Sequence, residues 1–320
     1  MAASSLEVEG LEVVTRAGVP ILDDLSFRVA EGQALGIVGE SGSGKSVALR
    51  ATMGLPPAGT SVRAGTVMVG DRRVPAGSVT PAGVAMVFQD SFTSLDPTMR
   101  LGSYLAETVA RHRGATIAAA RSRARELLRD VGMTEPELRM RAFPHQLSGG
   151  LRQRAAIALA LATDPRYLLC DEPTTALDVT LQARILALLK ARQGAAGLGL
   201  VFVSHDIAVV SQIADVVAVM YAGRIVEIGP TATVIGSPRH PYAQALVAAL
   251  PDLDRPGTRF LSIAGTPPDP SEFTAGCRFQ ARCGHPGTGC DQPLAGLDGR
   301  DHRHRSDCLH EDTHPAGRAS

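Results

Sequence analysis

Apolar and polar residues follow one another along the chain in the pattern of a mixed α/β protein. Alternation predicts edge strands over residues 6–14 and 25–29, and continuous apolar runs predict buried strands over residues 34–38, 66–69, 84–88, 167–170 and 200–203. Helical patterns predict helices from residue 47 onward and over residues 101–132, 151–162 and 181–192. Strands that alternate with helices predict a doubly wound, mostly parallel sheet with right-handed crossovers and antiparallel edge strands.

The character of the chain changes twice and predicts two domains. Residues 1–236 are expected to form one α/β domain, with a helical subdomain inserted at about 92–160, where Arg, Ala, Glu and Leu recur at helical spacing. From residue 237 to residue 320, Pro, Gly, His and Cys are frequent and periodicity is weak. This segment predicts a small, loop-rich C-terminal extension with too few aliphatic residues to build a core without a staple.

Composition and charge narrow the classes of function. The chain has 320 residues, of which 44% are hydrophobic, and Lys plus Arg and Asp plus Glu balance at 32 each. A balanced charge gives no general attraction to nucleic acid, so no nucleic-acid partner is expected. Residues 1–9 lack the features of a signal peptide, and the most apolar stretch, residues 207–221, is interrupted by polar residues and falls short of the roughly 20 apolar residues of a membrane span. We expect a cytosolic protein whose membrane role comes through partners.

A glycine-rich loop between a predicted strand and a predicted helix indicates a phosphate site. Its sequence, Gly-Glu-Ser-Gly-Ser-Gly-Lys-Ser over residues 39–46, matches the P-loop pattern G-x-x-x-x-G-K-[ST]. Backbone N–H groups of such a loop face the phosphates of ATP, its lysine reaches the β/γ-phosphates and its serine ligates Mg²⁺. The simpler alternative is a turn that binds nothing. The residues expected at the nucleotide are Gly39, Ser41, Gly42, Ser43, Gly44, Lys45, Ser46 and Val47.

Polar side chains at the ends of three further predicted strands complete a candidate catalytic set. Asp171 and Glu172 end an apolar strand, where the first carboxylate can hold Mg²⁺ and the second can polarise a water for in-line attack. An Asp-Glu pair after a strand is by itself more often a solvated turn. Gln89 ends another strand and is a candidate for the Mg²⁺ shell, and His205 follows a third and is a candidate γ-phosphate contact. Cys170, within its strand, is interpreted as a core residue.

The stretch Leu-Ser-Gly-Gly-Leu-Arg-Gln at residues 147–153 resembles the signature motif of ABC-transporter ATPases. A serine hydroxyl and glycine amides at a helix start form a second anion site, although an ordinary helix cap is the simpler alternative. The resemblance extends to the D-loop, residues 176–178 with Asp178, and covers roughly residues 6–235. It implies a P-loop ABC nucleotide-binding domain in which the signature of one subunit contacts the ATP held by another. The residues that carry this motif are Leu147, Ser148, Gly149, Gly150 and Gln153.

Within that family, the chain is most similar to the ATPase subunits of oligopeptide/dipeptide importers, whose relatives serve nickel uptake. The similarity rests on residues 89–97, 237–246 and 265–268 and on four cysteines of the extension. It implies ATP hydrolysis that energises peptide import, two transmembrane permease subunits, a second ATPase subunit (identical or homologous), an indirect extracytoplasmic substrate-binding protein, and a peripheral position at the cytoplasmic face of the membrane. The alternatives are import of nickel or another small solute, or a soluble ABC ATPase without a transport role. The aromatic residue that usually stacks on adenine is missing, since Val14, Thr15 and Arg16 occupy its region.

The four cysteines of the extension are Cys277, Cys283, Cys290 and Cys308, separated by five, six and seventeen residues. Disulfides are disfavoured in cytosol, and these spacings lack the paired knuckles of structural zinc sites. Four thiolates from separate loops suit a [4Fe–4S] cluster, which the family resemblance also implies. Two alternatives stay open. One is zinc, because histidines lie nearby, and the other is that the thiols hold no ligand. The histidines are His285, His302, His304 and His310.

Overall fold

The computed structural model describes residues 4–90, 94–175, 177–249, 263–294 and 296–311. The chain forms two compact units, which are described separately. Unit 1 comprises Met1–Ala30, Ala34–Pro81 and Phe202–Ser320, and unit 2 comprises Glu31–Gln33 and Ala82–Val201. The division between them does not coincide with the predicted domain boundary at residue 236, because the C-terminal extension packs within unit 1. The division into domains therefore stays a prediction.

The first part of unit 1 contains five strands and one helix. They are β1 (Ser5–Thr15), β2 (Pro20–Ala30), β3 (Ala34–Val38), α1 (Lys45–Thr52), β4 (Thr60–Val69) and β5 (Arg72–Pro75). Four of the strands form an antiparallel sheet in the order β2-β1-β4-β5. Leu6, Val8, Leu11 and Val13 of β1 are fully buried, as the alternation of its sequence predicts. Helix α1 begins at Lys45, two residues earlier than predicted.

Among its described residues, unit 2 contains two complete strands, which are parallel, and several helices. Its elements are β6 (Val84–Val87), α2 (Leu101–Arg113), α3 (Ile117–Asp130), α4 (Pro136–Arg139), α5 (Gly149–Ala162), β7 (Tyr167–Asp171) and α6 (Val179–Ala196). Strand β6 pairs in parallel with β7, from Val84 opposite Tyr167 to Val87 opposite Cys170. Helices α2, α3 and α5 pack on one another. The predicted helical subdomain begins at about residue 92, and residues 92 and 93 lie outside the described residues.

Strand β8 (Gly199–Ser204) begins in unit 2, next to β7, and ends in unit 1. The remaining elements of unit 1 are α7 (Ile207–Ile213), β9 (Val216–Tyr221), β10 (Arg224–Pro230), α8 (Thr231–Gly236), α9 (Pro241–Ala248) and β11 (Arg305–Ser306). Within unit 1, the strands lie in the order β11-β10-β9-β3, and β3 is parallel to β9 while β10 is antiparallel to both of its neighbours. Every residue of β3 and β9 is buried, as continuous apolar strands require.

Two elements of this region differ from what the sequence pattern indicates. The apolar stretch of residues 207–221 forms the short helix α7 and then strand β9, and within the described part of the chain no helix has the length and apolarity needed to cross a membrane. Helix α9 lies in the segment whose periodicity is weak. It begins with Pro241 in its first turn, and His240 caps it by accepting a hydrogen bond from the Tyr242 N–H over 3.1 Å. These terminal signals, rather than an apolar stripe, define the helix.

The C-terminal extension docks on the body of unit 1. Strand β11 pairs with β10, and Gly299 bridges to Phe27 on β2. The rings of Tyr242 and Phe279 are buried and lie 5.4 Å apart between centroids. The expectation that this segment lacks a core is incomplete, because it completes its core against strands contributed by the rest of unit 1.

Candidate functional site

The P-loop connects β3 to α1 in unit 1, as its sequence predicts. Its glycines are required by close backbone approaches as well as by flexibility. A Cβ on Gly39 would lie 2.1 Å from the carbonyl oxygen of Met220, and a Cβ on Gly44, whose φ is +101°, would lie 2.6 Å from Leu22 Cδ2. Ser41 and Gly42 at the outer bend are exposed. The loop therefore presents its outer backbone to solvent, and its ends are fixed by the fold.

Lys45 is folded back into the loop that precedes it. Its Nζ donates hydrogen bonds to the carbonyl oxygens of Gly39 and Glu40, both over 2.8 Å, and to Ser43 Oγ over 3.3 Å. The side chain is 5% exposed. Ser46 and Val47 follow in the first turn of α1 and are half-buried. A positive charge and the amides of a helix start thus lie on one short segment, which is the arrangement that binds a phosphate.

The ends of β6 and β7 bring three of the predicted residues together in unit 2. Gln89 Nε2 donates to Glu172 Oε2 over 3.3 Å, and Thr175 Oγ1 donates to the same oxygen over 3.1 Å. Asp171 closes β7 and is 3% exposed, while Glu172 is half-buried. Thr175 is a contact that the sequence analysis missed, since nothing distinguishes it from other threonines that follow a strand.

Glu172 has a left-handed backbone, with φ +46°. A residue with a Cβ adopts this conformation at a cost of about 1–3 kcal/mol, and such residues cluster at functional sites. The two neighbouring carboxylates have different surroundings, one enclosed at the strand end and the other partly open to water, which suits a metal ligand beside a base.

The signature motif begins helix α5. Ser148 is the N-cap residue, and its Oγ accepts a hydrogen bond from Leu151 N over 3.4 Å, so the helix starts at Gly149 rather than at residue 151 as predicted. Ser148 and Gly149 are exposed, and Gly150 is half-buried. The simpler interpretation, a helix cap, therefore holds, and the exposed start of the helix stays available to a partner.

Other predicted site residues differ in how accessible they are. Leu147 is 3% exposed and Gln153 2%, and the Nε2 of Gln153 has no hydrogen-bond partner among the described residues. Asp178 is exposed and caps α6 by accepting from Leu181 N over 3.0 Å; the preceding D-loop residue, 176, lies outside the described residues. His205 is exposed just after β8 in unit 1. Gln153 is thus enclosed within the chain, unlike Ser148 and Asp178.

The cysteines have two different environments. Cys170 is fully enclosed in β7, and burial raises the pKa of its thiol well above the ordinary value, as expected for a core residue. In the extension, Cys277 N donates to the carbonyl of Cys290 over 2.8 Å. Burial, followed by smaller effects of Cys290, Cys308 and Cys283, raises the pKa of Cys277 to about 11. The other three thiols therefore lie near enough to Cys277 to add to the rise of its pKa.

Soft thiolate donors of this kind suit an iron–sulfur cluster or zinc. Within the described residues, however, no group of three or more His, Cys, Asp or Glu side chains is arranged to hold a metal ion. Three of the nearby histidines have hydrogen bonds elsewhere: His302 with the carbonyl of Arg28, His304 with Glu227 and His310 with the carbonyl of Thr288. The four thiols are chemically suited to a metal centre, but their side chains are not arranged as a ligand shell among the described residues.

Comparison with known proteins agrees with this architecture. Residues 22–175 match the family model described as ABC transporter, and residues 226–290 match the one described as oligopeptide/dipeptide transporter, C-terminal region. Among solved structures, the chain is similar to the dimeric structure of MJ0796, a bacterial ABC transporter cassette, with a TM-score of 0.62 and 27% identity over 71% of this chain and 98% of that one. The post-hydrolysis dimer of the same cassette bound to ADP and Pi gives a TM-score of 0.62 at 26% identity. The fold and the P-loop thus define an ABC-type ATPase.

Similar proteins with known names narrow the family to which the chain belongs. The dipeptide transport ATP-binding protein DppD of Bacillus subtilis (strain 168) is 40% identical over 317 residues, 96% of this chain and 95% of the relative. The oligopeptide transport ATP-binding protein OppD of the same organism is 44% identical over 288 residues, 88% of this chain and 79% of the relative. DppD of Lactococcus lactis subsp. cremoris is 44% identical over 287 residues, with 87% and 82% covered. The chain belongs to the oligopeptide/dipeptide family of ABC-transporter ATP-binding proteins.

Proposed function

We propose that this chain is the ATP-hydrolysing subunit that energises import of di- or oligopeptides through a membrane ABC transporter. The observation that carries the proposal is the 40% identity to a dipeptide transport ATP-binding protein over nearly the whole of both chains, extension included. ATPase cassettes of many transporters share the first matched region, whereas the match of residues 226–290 is to a region described for oligopeptide and dipeptide transporters. The proposed substrate class, peptides, is therefore supported by the match of the extension.

In this proposal the P-loop binds the triphosphate and Glu172 is the base. Lys45 exchanges its bonds to the carbonyls of Gly39 and Glu40 for phosphate oxygens, which is a short movement of a flexible side chain. Ser46, Asp171 and Gln89 serve the Mg²⁺ ion. Glu172 accepts a proton from the attacking water, and hydrogen bonds from Gln89 and Thr175 orient its carboxylate. His205 is assigned to the γ-phosphate.

The exposed start of α5 supports a role in a second subunit's site. Ser148 and Gly149 present a hydroxyl and a helix N-terminus to solvent, and Asp178 is exposed at the start of α6. We assign Ser148, Gly149 and Gly150 to the ATP bound by the P-loop of a partner ATPase, identical or homologous. Binding of two nucleotides then closes a dimer and hydrolysis releases it, so ATP shifts the population of two conformations.

A groove in unit 2 supports docking of a permease. It encloses about 550 Å³, and its lining includes Phe88, Ser94, Met99, Tyr104 and Leu159. These residues follow strand β6 or lie in the predicted helical subdomain, and all but Ser94 offer apolar contacts. The lining also includes Glu107 and Arg111 of α2. We propose two transmembrane permease subunits as partners, an extracytoplasmic binding protein acting through them, and a peripheral position at the cytoplasmic face of the membrane.

Reconstitution tests the proposal. The chain is combined with its candidate permeases, second ATPase and binding protein in proteoliposomes, and uptake of labelled di- and oligopeptides and of Ni²⁺ is measured with MgATP. We expect ATP-dependent uptake of a peptide, abolished when Glu172→Gln replaces the wild type. Uptake of Ni²⁺ alone would favour the nickel alternative. ATP hydrolysis that no permease stimulates and no solute requires would favour an ABC ATPase without a transport role.

We further propose that Cys277, Cys283, Cys290 and Cys308 hold one metal centre, a [4Fe–4S] cluster rather than zinc. The nearness of the other three thiols to Cys277 and the engagement of three nearby histidines elsewhere support a site built from cysteine alone. The side chains must rearrange to form the ligand shell. Protein purified without oxygen should be brown and contain iron and sulfide in equal amounts, and Cys290→Ser should remove the colour. Colourless protein with one zinc per chain would replace the cluster by zinc, and protein without metal would refute the centre.

A further inference from the structure

The loop from the first to the second cysteine of the extension, residues 277–283, carries two arginines whose side chains are buried within unit 1. We call this segment the cysteine loop. Arg278 and Arg282 are each 5% exposed at the side chain. Arginine is rarely buried unless its guanidinium is paired, so the partners of these two groups show what the loop contacts. Those partners include Glu40 in the P-loop, Asp23 on β2 and Ala222 in the turn that follows β9.

Arg282 binds Glu40, the second residue of the P-loop, with both arms of its guanidinium. Nη1 donates to Oε2 over 2.6 Å and Nη2 donates to Oε1 over 3.0 Å. A paired fork of this kind fixes the orientation of both groups, which a single ion pair does not. The guanidinium also donates to the Tyr221 hydroxyl over 3.2 Å and to the carbonyls of Ala264 and Gly265 over 2.8 and 3.2 Å. Arg282 is therefore held in place itself.

Glu40 is also the residue that holds the phosphate-binding lysine. Its carbonyl oxygen accepts hydrogen bonds from Lys45 Nζ over 2.8 Å and from Ser43 N over 3.2 Å. Its N–H donates to the hydroxyl of the fully buried Tyr242 over 2.7 Å. A displacement of Glu40 would therefore move both the lysine and the amides that face the phosphates.

Arg278 reaches the P-loop through one intermediate turn. Its Nη1 donates to the carbonyl of Ala222 over 2.6 Å, and its Nη2 donates to Asp23 Oδ2 over 2.6 Å. Ala222 has φ +45°, and the next residue, Gly223, has φ +82°. A Cβ on Gly223 would not fit, because it would lie 2.2 Å from the carbonyl oxygen of Ile21. Gly223 N then donates to the carbonyl of Ser43 over 3.0 Å. The strained turn is thus bound on one side by Arg278 and on the other by the P-loop.

We propose that the cysteine loop positions the P-loop for phosphate binding, so that nucleotide affinity depends on the C-terminal extension. Arg282 is the main positioning residue, through Glu40, and Arg278 acts through the Ala222–Gly223 turn. An anion site made of backbone amides binds well only when those amides already point at the ligand, because ordering them on binding costs affinity. The inference rests on the proposed binding of MgATP at the P-loop.

The Arg282–Glu40 pair also balances charge. Glu40 places a carboxylate within the segment that receives a triphosphate, and Arg282 neutralises it. Removal of Arg282 alone would leave that carboxylate to repel the nucleotide, whereas removal of both charges would not. The two substitutions should therefore not be additive, and this distinguishes positioning of the P-loop from a general loss of packing.

The experiment measures Kd for MgATP by calorimetry on the full chain, with thermal unfolding recorded for every variant. The test variants are Arg282→Gln, Glu40→Gln and the double variant. The matched control is Arg300→Gln, which breaks another ion pair of the extension, to Asp298 and Glu9 over 2.9 Å each, with no P-loop partner. We expect Arg282→Gln to weaken binding roughly tenfold, within the range of about 5–150-fold that coupled sites show. The double variant should bind more tightly than Arg282→Gln, and Arg300→Gln should stay within about twofold of the wild type.

Equal affinity of Arg282→Gln and the wild type would overturn the inference, and so would a double variant that binds no better than Arg282→Gln. Should Arg282→Gln fail to fold, Arg282→Lys keeps the charge without the fork, and an affinity equal to that of the wild type would overturn the inference in the same way. A wild type that binds no MgATP would refute the proposed function and this inference together. Loss of binding in Lys45→Ala, with Arg282→Gln unchanged, would refute the inference alone.

Discussion

Gln89 Nε2 lies 3.3 Å from Glu172 Oε2 and donates a hydrogen bond to it, so the ends of β6 and β7 are connected through the proposed catalytic base. Thr175 donates to the same carboxylate oxygen over 3.1 Å. Together with the left-handed backbone of Glu172, these contacts determine where the carboxylate points. The first prediction follows from this arrangement.

Glu172→Gln should bind MgATP with nearly unchanged affinity and hydrolyse it far more slowly. An amide keeps the size of the side chain and its hydrogen bonds but cannot accept the proton of the attacking water, and general-base catalysis contributes about 10²–10⁴-fold to rate. Turnover and Kd are measured in the assembled transporter. Glu137→Gln, which alters an exposed carboxylate of the same unit, is the control and should leave turnover unchanged. Wild-type turnover in Glu172→Gln would remove the residue from this role.

Lys45→Ala should lose nucleotide binding, since it deletes the buried positive charge of the P-loop and leaves three oxygen acceptors without their donor. The chain offers a matched control in Lys190, which is exposed on α6, and Lys190→Ala should bind as the wild type does. Titration with a fluorescent ATP analogue gives both affinities. Binding in Lys45→Ala comparable to that in Lys190→Ala would contradict the assignment of the P-loop.

Mixtures of two inactive variants test whether Ser148 acts on the nucleotide of a partner. Ser148→Arg blocks the start of α5, and Lys45→Ala disables the P-loop. A dimer with one copy of each keeps one site that combines an intact P-loop with an intact signature, so mixing should restore ATP hydrolysis that neither variant shows alone. The rate is followed while the fraction of dimer is measured by sedimentation. No gain in activity in mixtures that demonstrably form mixed dimers would mean that each site is complete within one chain.

The sequence pattern predicts the strands, helices and loops of this fold well where the residues that define an element lie in one short segment. Strand β3 has the predicted bounds, and the P-loop follows it directly, because a buried apolar run and a glycine-rich turn are both local features. The starts of α1 and α5 lie two residues earlier than predicted, since Lys45 and Ser46 in α1 and Gly149 and Gly150 in α5 are already helical although they precede the apolar pattern. Contacts between residues far apart in sequence could not be predicted. The pairing of Arg282 with Glu40 joins positions 242 residues apart, and no spacing rule relates them.

Asp23→Asn should destabilise the fold by an amount that is constant from pH 7 to pH 5 and shrinks below about pH 4. Burial alone would raise the pKa of Asp23, but hydrogen bonds and charges from Arg224 and Arg278 outweigh burial and hold it below its ordinary value of 3.8. The contribution of the carboxylate to stability is therefore present above that value and is lost as the pH falls through the lower pKa of the folded state.

Thermal unfolding of the wild type and Asp23→Asn at pH 7, 5 and 3.5 checks this pH dependence. Asp71→Asn, at an exposed position in the turn between β4 and β5, serves as the control and should change Tm little at any of the three values. A Tm difference for Asp23→Asn that already shrinks between pH 7 and pH 5 would show that the arginines do not hold the carboxylate ionised.

Glu227→Ala should detach the C-terminal extension and destabilise unit 1. Glu227, on β10, is fully buried, and its carboxylate accepts hydrogen bonds from Arg239 N over 3.0 Å, from His240 N over 2.7 Å and from His304 Nε2 over 2.8 Å. Its removal leaves buried donors without partners at the point where the extension is anchored, at a cost of roughly 3–5 kcal/mol. Glu227→Gln keeps the volume and one acceptor oxygen, so its loss should be smaller. Chemical denaturation gives the free energies of unfolding, and limited proteolysis followed by mass spectrometry should locate new cleavage sites after residue 249 in Glu227→Ala. Wild-type stability and an intact extension in that variant would show that the other contacts of the extension suffice to hold it.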